Sequence, residues 1–146
     1  MLLALDATLV ARGADGAREI GIGEFFQGLF ETALEPDELL TEIRVPKPAA
    51  SAAWSFQKFT QRAIDWAIVG CAVQGGRVAL VNMGGTPLRA TATEAALTAG
   101  ASPAGAAAHA AEGTSAASDI RASREYREHL ARVLVSRALT EASTRS

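Results

Sequence analysis

Two glycines between two apolar runs limit what this chain can fold into more than any other feature. Gln74-Gly75-Gly76-Arg77 separates Ala67 to Gln74, which is continuously apolar up to its last residue, from the mixed run Arg77 to Met83. Glycine tolerates the positive φ of the primed turns that join paired strands, so the sequence predicts a tight antiparallel hairpin. Trp54 to Thr60 alternates aromatic and polar residues and supplies a third strand ahead of it. Gly84-Gly85-Thr86-Pro87 then ends the sheet, and alanine-rich helices follow over Ala90–Ala99 and Pro103–Glu112. The second of these opens with Ser102 as cap and Pro103 at its first position. A last helix starts at the cap Ser123, with Leu130, Val133, Leu134 and Ala138 in one apolar stripe flanked by Val135 and Leu139. Arg124, Glu128, Arg132 and Glu141 face elsewhere.

The N-terminal part has a different texture. Leu3, Leu5, Ala7, Leu9 and Ala11 alternate before the turn Arg12-Gly13-Ala14-Asp15-Gly16, which predicts a strand, and Arg18 to Ile22 predicts a short return strand. Glu24 to Gly28 fits one helical turn. Glu35-Pro36-Asp37-Glu38 is a loop, because Pro36 fixes its own φ and biases Glu35 away from the helical region. Leu39 to Val45 follows as a strand, and Pro46-Lys47-Pro48-Ala49-Ala50-Ser51 is an extended linker with nothing to bury. The expected fold class is α+β: a β-rich piece over residues 1–45, a linker over 46–51, and a domain over 52–146 in which a three-stranded antiparallel sheet packs on about three helices.

The whole chain has 146 residues, 49% of them hydrophobic, and a formal net charge of −2, so it can enclose a core and has no clustered Lys and Arg to neutralise phosphates. A nucleic-acid surface is therefore not expected. Met1 to Asp6 lacks a basic leader and is interrupted by Asp6, so neither a signal peptide nor a membrane span is expected there. The single cysteine, Cys71, lies inside an apolar run and has no partner for a disulfide or a cluster of ligands for zinc or iron–sulfur. A reducing, cytoplasmic compartment fits that usage.

Catalytic motifs are absent: no Ser-His-Asp set in a recognisable context, no nucleophile elbow, no zinc-binding HExxH, no phosphate-binding Walker loop. His109 and His129 read as ordinary helix residues, and Glu24, Glu31, Asp37 and Glu38 as solvated charges. Gly84-Gly85 reads first as a turn and only second as a phosphate cradle. Lys58-Phe59-Thr60-Gln61-Arg62-Ala63-Ile64-Asp65-Trp66 is the unusual stretch, with cations, a carboxylate and a tryptophan interrupting apolar strands. It has two readings. One is a sheet corner with an Arg62–Asp65 salt bridge and a packing tryptophan. The other is the wall of a pocket for a planar, polar-edged ring system.

Several stretches, in order, resemble a known family. Leu2 to Ala7 with Arg12-Gly13, Glu24-Phe25-Phe26-Gln27-Gly28, and Thr32 to Ile43 are similar to the closing segment of the FAD-binding domain in the medium subunit of molybdenum hydroxylases, the carbon monoxide dehydrogenase and xanthine dehydrogenase family. Lys58-Phe59 to Asp65-Trp66-Ala67, Asn82 to Arg89, and Asp119-Ile120-Arg121-Ala122-Ser123 with Tyr126-Arg127 and Leu130 resemble that subunit's C-terminal domain. The resemblance implies FAD as cofactor and, as partners, a molybdopterin-containing large subunit and a small subunit with 2Fe–2S clusters, the flavin subunit relaying electrons to an external acceptor. It implies cofactor-binding roles for Leu40, Lys58, Asp65 and Trp66, with Trp66 standing where the family has a tyrosine or isoleucine over the isoalloxazine. The family's glycine-rich pyrophosphate motifs have no counterpart in this sequence, so FAD is expected to be shared with an N-terminal flavin domain and the chain is expected not to act alone. The competing expectation is a non-catalytic assembly module that binds partner subunits without flavin.

Overall fold

The computed structural model describes residues 1–145. In chain order the elements are β1 (Thr8–Gly13), β2 (Gly16–Gly21), α1 (Ile22–Phe25), β3 (Phe26–Gly28), β4 (Glu31–Thr32), β5 (Leu39–Arg44), β6 (Trp54–Phe59), β7 (Val69–Gln74), β8 (Arg77–Val81), β9 (Leu88–Arg89), α2 (Thr91–Thr98), α3 (Pro103–Ala107) and α4 (Arg124–Ser143). The fold is mixed α and β with antiparallel sheets.

The predicted hairpin is the centre of the C-terminal sheet. Gly75 and Gly76 both take positive φ, +54° and +85°, and join β7 to β8 with Gln74 opposite Arg77. The sheet order is β6-β7-β8-β9, so the two-residue β9 adds a fourth strand to the three expected. Side chains alternate across a strand. Val69, Cys71, Val73, Val78 and Leu80 therefore share one face, where they form a core with Leu130, Leu134, Val135, Ala138 and the alanines of α3. Burial pushes the Cys71 thiol up to about 12.

The opposite face is built of small residues. Ala72 and Ala79 belong to a second core with Leu3, Ala4, Ala7, Leu9, Ala11, Ile20, Ile22 and Phe25. Every residue of β7 is consequently buried, on one face by helices and on the other by the N-terminal part. That contact explains why the first strand starts later than its alternation predicts. Residues 1–7 form turns in which the Ala4 and Leu5 amides donate to the Met1 carbonyl, and Asp6 sits at φ +54°. The turn sets Leu3 and Ala4 on the alanines, while Asp6 pairs with Arg77 at 3.0 Å and Arg89 at 3.4 Å.

Two caps are as expected: Ser102 Oγ accepts from the Gly105 amide at 3.2 Å and Ser123 Oγ from the Tyr126 amide at 3.3 Å. The helix that begins at Pro103 ends earlier than expected. Beyond Ala107 the bonding tightens to i−3, His109 to Ala106 and Ala110 to Ala107, and the chain turns away at Gly113 with φ +70°. No described helix is long and apolar enough to cross a membrane.

β2 and β5 flank β1 as the two edges of the N-terminal sheet. All six residues of β5 are exposed, and β2 is exposed except at Ile20. An edge leaves alternate amides unpaired, so β2 and β5 are expected to exchange their amide hydrogens well ahead of β7 and β8. Hydrogen–deuterium exchange on the isolated chain measures this, and equal protection in the two sheets would contradict it.

Candidate functional site

The connection from β6 to β7 carries most of the residues singled out in the sequence. β6 pairs with β7 so that Phe56 lies opposite Ala72 and Lys58 opposite Gly70. By alternation Phe56 and Lys58 point to the same face as Gly70 and Val81, and both are exposed there. Gly70 is required by close approach, since a Cβ at that position would stand 2.7 Å from Val81 Cγ2. The result is a low apolar floor with one cation at its border.

Residues 60–67 rise from the end of this floor, on a base fixed at several points. The Ile68 amide donates to the Phe59 carbonyl at 2.8 Å, closing the strand pair. Asn82 Nδ2 donates to the Ala67 carbonyl and Arg127 Nη1 to the Ile68 carbonyl, each at 2.6 Å. Asn82 takes φ +64°, a conformation asparagine tolerates better than most residues, directly after β8. Phe59 meets Tyr126 of α4 edge to face, with ring centroids 6.3 Å apart.

From that base the loop presents apolar side chains to the outside: Ile64 is 93% exposed and Trp66 85% exposed. The sheet-corner reading fails on both of its elements. Among the described residues no ion pair joins Arg62 to Asp65; the Asp65 amide donates instead to the Arg62 carbonyl at 3.0 Å, which makes the turn. Nor is Trp66 a packing residue of the core.

Lys58, Asp65 and Trp66 thus belong to one end of the C-terminal sheet. Leu40 stands elsewhere, on β5, opposite Ala11 where the β1–β5 register slips after Val10, and exposed like its neighbour Leu39. Gly84 is closely packed, since a Cβ there would lie 3.2 Å from Leu88 Cδ2 and 3.5 Å from Ser115 Oγ. Sequence reasoning did not assign Asn82 and Arg127 to the site. Arg127 had left a signal, because it lies three and four residues before the buried Leu130 and Ala131 and so falls on the apolar stripe of α4.

The order of these elements has a counterpart in known proteins. Residues 54–142 match the family described as the CO dehydrogenase flavoprotein C-terminal domain, and residues 1–48 match the FAD binding domain in molybdopterin dehydrogenase. The chain belongs to the carbon monoxide dehydrogenase flavoprotein family. Over 98% of its length it is 34% identical to the carbon monoxide dehydrogenase medium chain of Hydrogenophaga pseudoflava, and it covers 54% of that protein. Caffeine dehydrogenase subunit beta of Pseudomonas sp. (strain CBB1) is also 34% identical, over 99% of this chain and 54% of its own. Among solved structures, reconstituted CO dehydrogenase from Oligotropha carboxidovorans superposes with a TM-score of 0.91 at 34% identity, covering 99% of this chain and 55% of that one. Quinoline 2-oxidoreductase from Pseudomonas putida 86 gives 0.85 at 28% identity, covering 99% and 55%. The chain spans about half the length of these flavoprotein-family relatives.

Proposed function

We propose that this chain supplies the ring-covering part of an FAD-binding medium subunit in a molybdenum hydroxylase, a subunit that relays electrons from iron–sulfur clusters through FAD to an external acceptor. The observation that carries the reading is Trp66, a large aromatic held outside the core on a loop whose base is tied by Asn82 and Arg127. An exposed indole loses little by waiting for a planar partner and gains contact area when one stacks on it. Lys58 and Asp65 add charge near an apolar surface, which suits the polar edge of an isoalloxazine ring. These residues fit the ring end of FAD, and Leu40 on β5 is assigned to the same cofactor by family resemblance. When bound, FAD would supply a carrier that takes up electrons one at a time, as iron–sulfur clusters deliver them, and passes them on singly or in pairs; the chain's own contribution is to cover the ring, exclude water from one face and place charge at its rim.

In this reading residues 1–45 close the flavin-binding domain, 46–51 link, and 52–146 form the C-terminal domain. The partners are the rest of the flavin domain, the molybdopterin-containing large subunit and the 2Fe–2S small subunit, in the cytoplasm, where Cys71 stays reduced. A second reading, an assembly module without flavin, draws on the tip of the β3–β4 hairpin. There Leu29 is exposed and Phe30 is 99% exposed at φ +60°, an uncommon backbone conformation for a bulky residue.

The two readings separate by the accessibility of Trp66. In the full-length medium subunit with every tryptophan other than Trp66 replaced by phenylalanine, the Trp66 fluorescence is expected to be quenched readily by acrylamide without FAD. With FAD bound it should be dimmed by the flavin and shielded from acrylamide. Equal acrylamide quenching with and without FAD would remove the ring-cover reading and favour the assembly module.

A further inference from the structure

A buried guanidinium ties the Trp66 loop to the turn before α4. Arg127 is only 4% exposed. Its Nη1 donates to the Ile68 carbonyl at 2.6 Å, and its Nη2 pairs with Asp119 Oδ2 at 2.7 Å. Asp119 in turn organises its own segment: Oδ1 accepts from the amides of Arg121 at 2.9 Å and Ala122 at 3.0 Å, and the Asp119 amide donates to the Ala122 carbonyl at 3.0 Å. Those amide bonds, and after them Arg127, hold the Asp119 carboxyl below its ordinary range. The turn so formed carries Ile120, fully exposed, just as the neighbouring loop carries Trp66 and Ile64.

Stability alone does not call for this arrangement. Arg127 Nε is buried with no hydrogen-bond partner among the described residues, and an unsatisfied buried donor is unfavourable. A buried ion pair is often no better for stability than apolar packing of the same volume. What the pair does provide is direction: a planar fork with one arm on the Ile68 carbonyl just before β7 and the other on the turn.

We infer that Arg127, braced by Asp119, is a positioning residue that sets the pose of Trp66 over the flavin ring. The inference rests on the ring-cover reading above. Arg127 acts two residues away from the tryptophan, through the Ile68 carbonyl, and touches no cofactor itself. A lysine in its place keeps the charge and loses the fork, so it can satisfy one of the two partners and not both in the same geometry.

The test uses the FAD-loaded full-length medium subunit with Arg127→Lys, Asp119→Asn and Trp66→Ala, and the doubles of the first two with the third. The flavin's visible spectrum and reduction potential are the readouts, with the melting temperature as the control for folding. Arg127→Lys and Asp119→Asn are expected to shift spectrum and potential in the same direction as Trp66→Ala. Neither should shift them further once Trp66 is already alanine, because residues acting through one group are not additive. A lowered melting temperature with a wild-type flavin spectrum in both single variants overturns the inference while leaving the ring cover standing. An unaltered flavin in Trp66→Ala itself removes the ring cover and the positioning role with it. If Arg127→Lys does not fold, Asp119→Asn decides, since Asp119 is half exposed and an asparagine oxygen still accepts from the Arg127 guanidinium, which then keeps a hydrogen bond while losing its counter-ion.

Discussion

Replacing Trp66 with alanine is expected to leave the melting temperature of the chain almost where it was and to alter the flavin of the assembled subunit. The two halves of that result have separate causes. With 85% of its surface open, Trp66 contributes little to either core, and exposed substitutions away from special features usually fall within about 0.5 kcal/mol. Had the indole plugged the core, its removal would lower stability by roughly 3–5 kcal/mol. In the assembled subunit the same deletion uncovers one face of the ring, readmits water and changes the dielectric around it, so absorption, reduction potential and turnover with the external acceptor should all move. Trp66→Phe keeps a flat apolar surface and is expected to retain most of the native behaviour. Spectra, potentiometry and acceptor kinetics on both variants, beside thermal melts, check this; a melting temperature lowered as far as a core truncation would refute the exposed pose.

Leu80→Ala is expected to do the reverse, lowering stability by about 2–5 kcal/mol without any direct effect at the Trp66 loop. Leu80 is 0% exposed on β8, between β7 and β9, and packs into the core shared with α4. A cavity there is bounded by paired strands and by α4, neither of which can move inward without breaking its own contacts. Against a typical total of about 5–15 kcal/mol the loss is large. It corresponds to a fall of roughly 5–20 °C in melting temperature for a domain of this size. Urea denaturation followed by circular dichroism gives the number, and a loss under about 1 kcal/mol would mean that the sheet is not seated on α4 as described.

What could be read from the sequence was mostly local. Gly75-Gly76 between apolar runs identified β7 and β8, and Ser102 and Ser123 identified two helix starts, because a turn or a cap is decided by a few adjacent residues. Trp66 was legible as the entrance to β7, but its exposure was not, since exposure depends on which segments return to cover it. The same limit explains the first strand. Leu3, Leu5 and Ala7 alternate convincingly, yet the docking of Leu3 and Ala4 on Ala72 and Ala79 is a contact between distant parts of the chain, and it outweighs the local pattern. Arg127 was passed over for a related reason. A cation on an apolar stripe gives no hint of its partners until Asp119 and the Ile68 carbonyl are brought to it by folding.

The alanine face of the C-terminal sheet also dictates an order of events during synthesis. Leu3, Ala4 and Leu9 leave the ribosome well before Ala72 and Ala79, the surface on which their core closes. Until β7 and β8 have been made and paired, that alanine floor is missing, and the side of the earlier segment that closes on it is left uncovered. The late-made half is the template and the early-made half is the guest, so conditions that delay the second half, such as slow translation, would prolong the interval in which nascent chains can stick to one another or recruit chaperones.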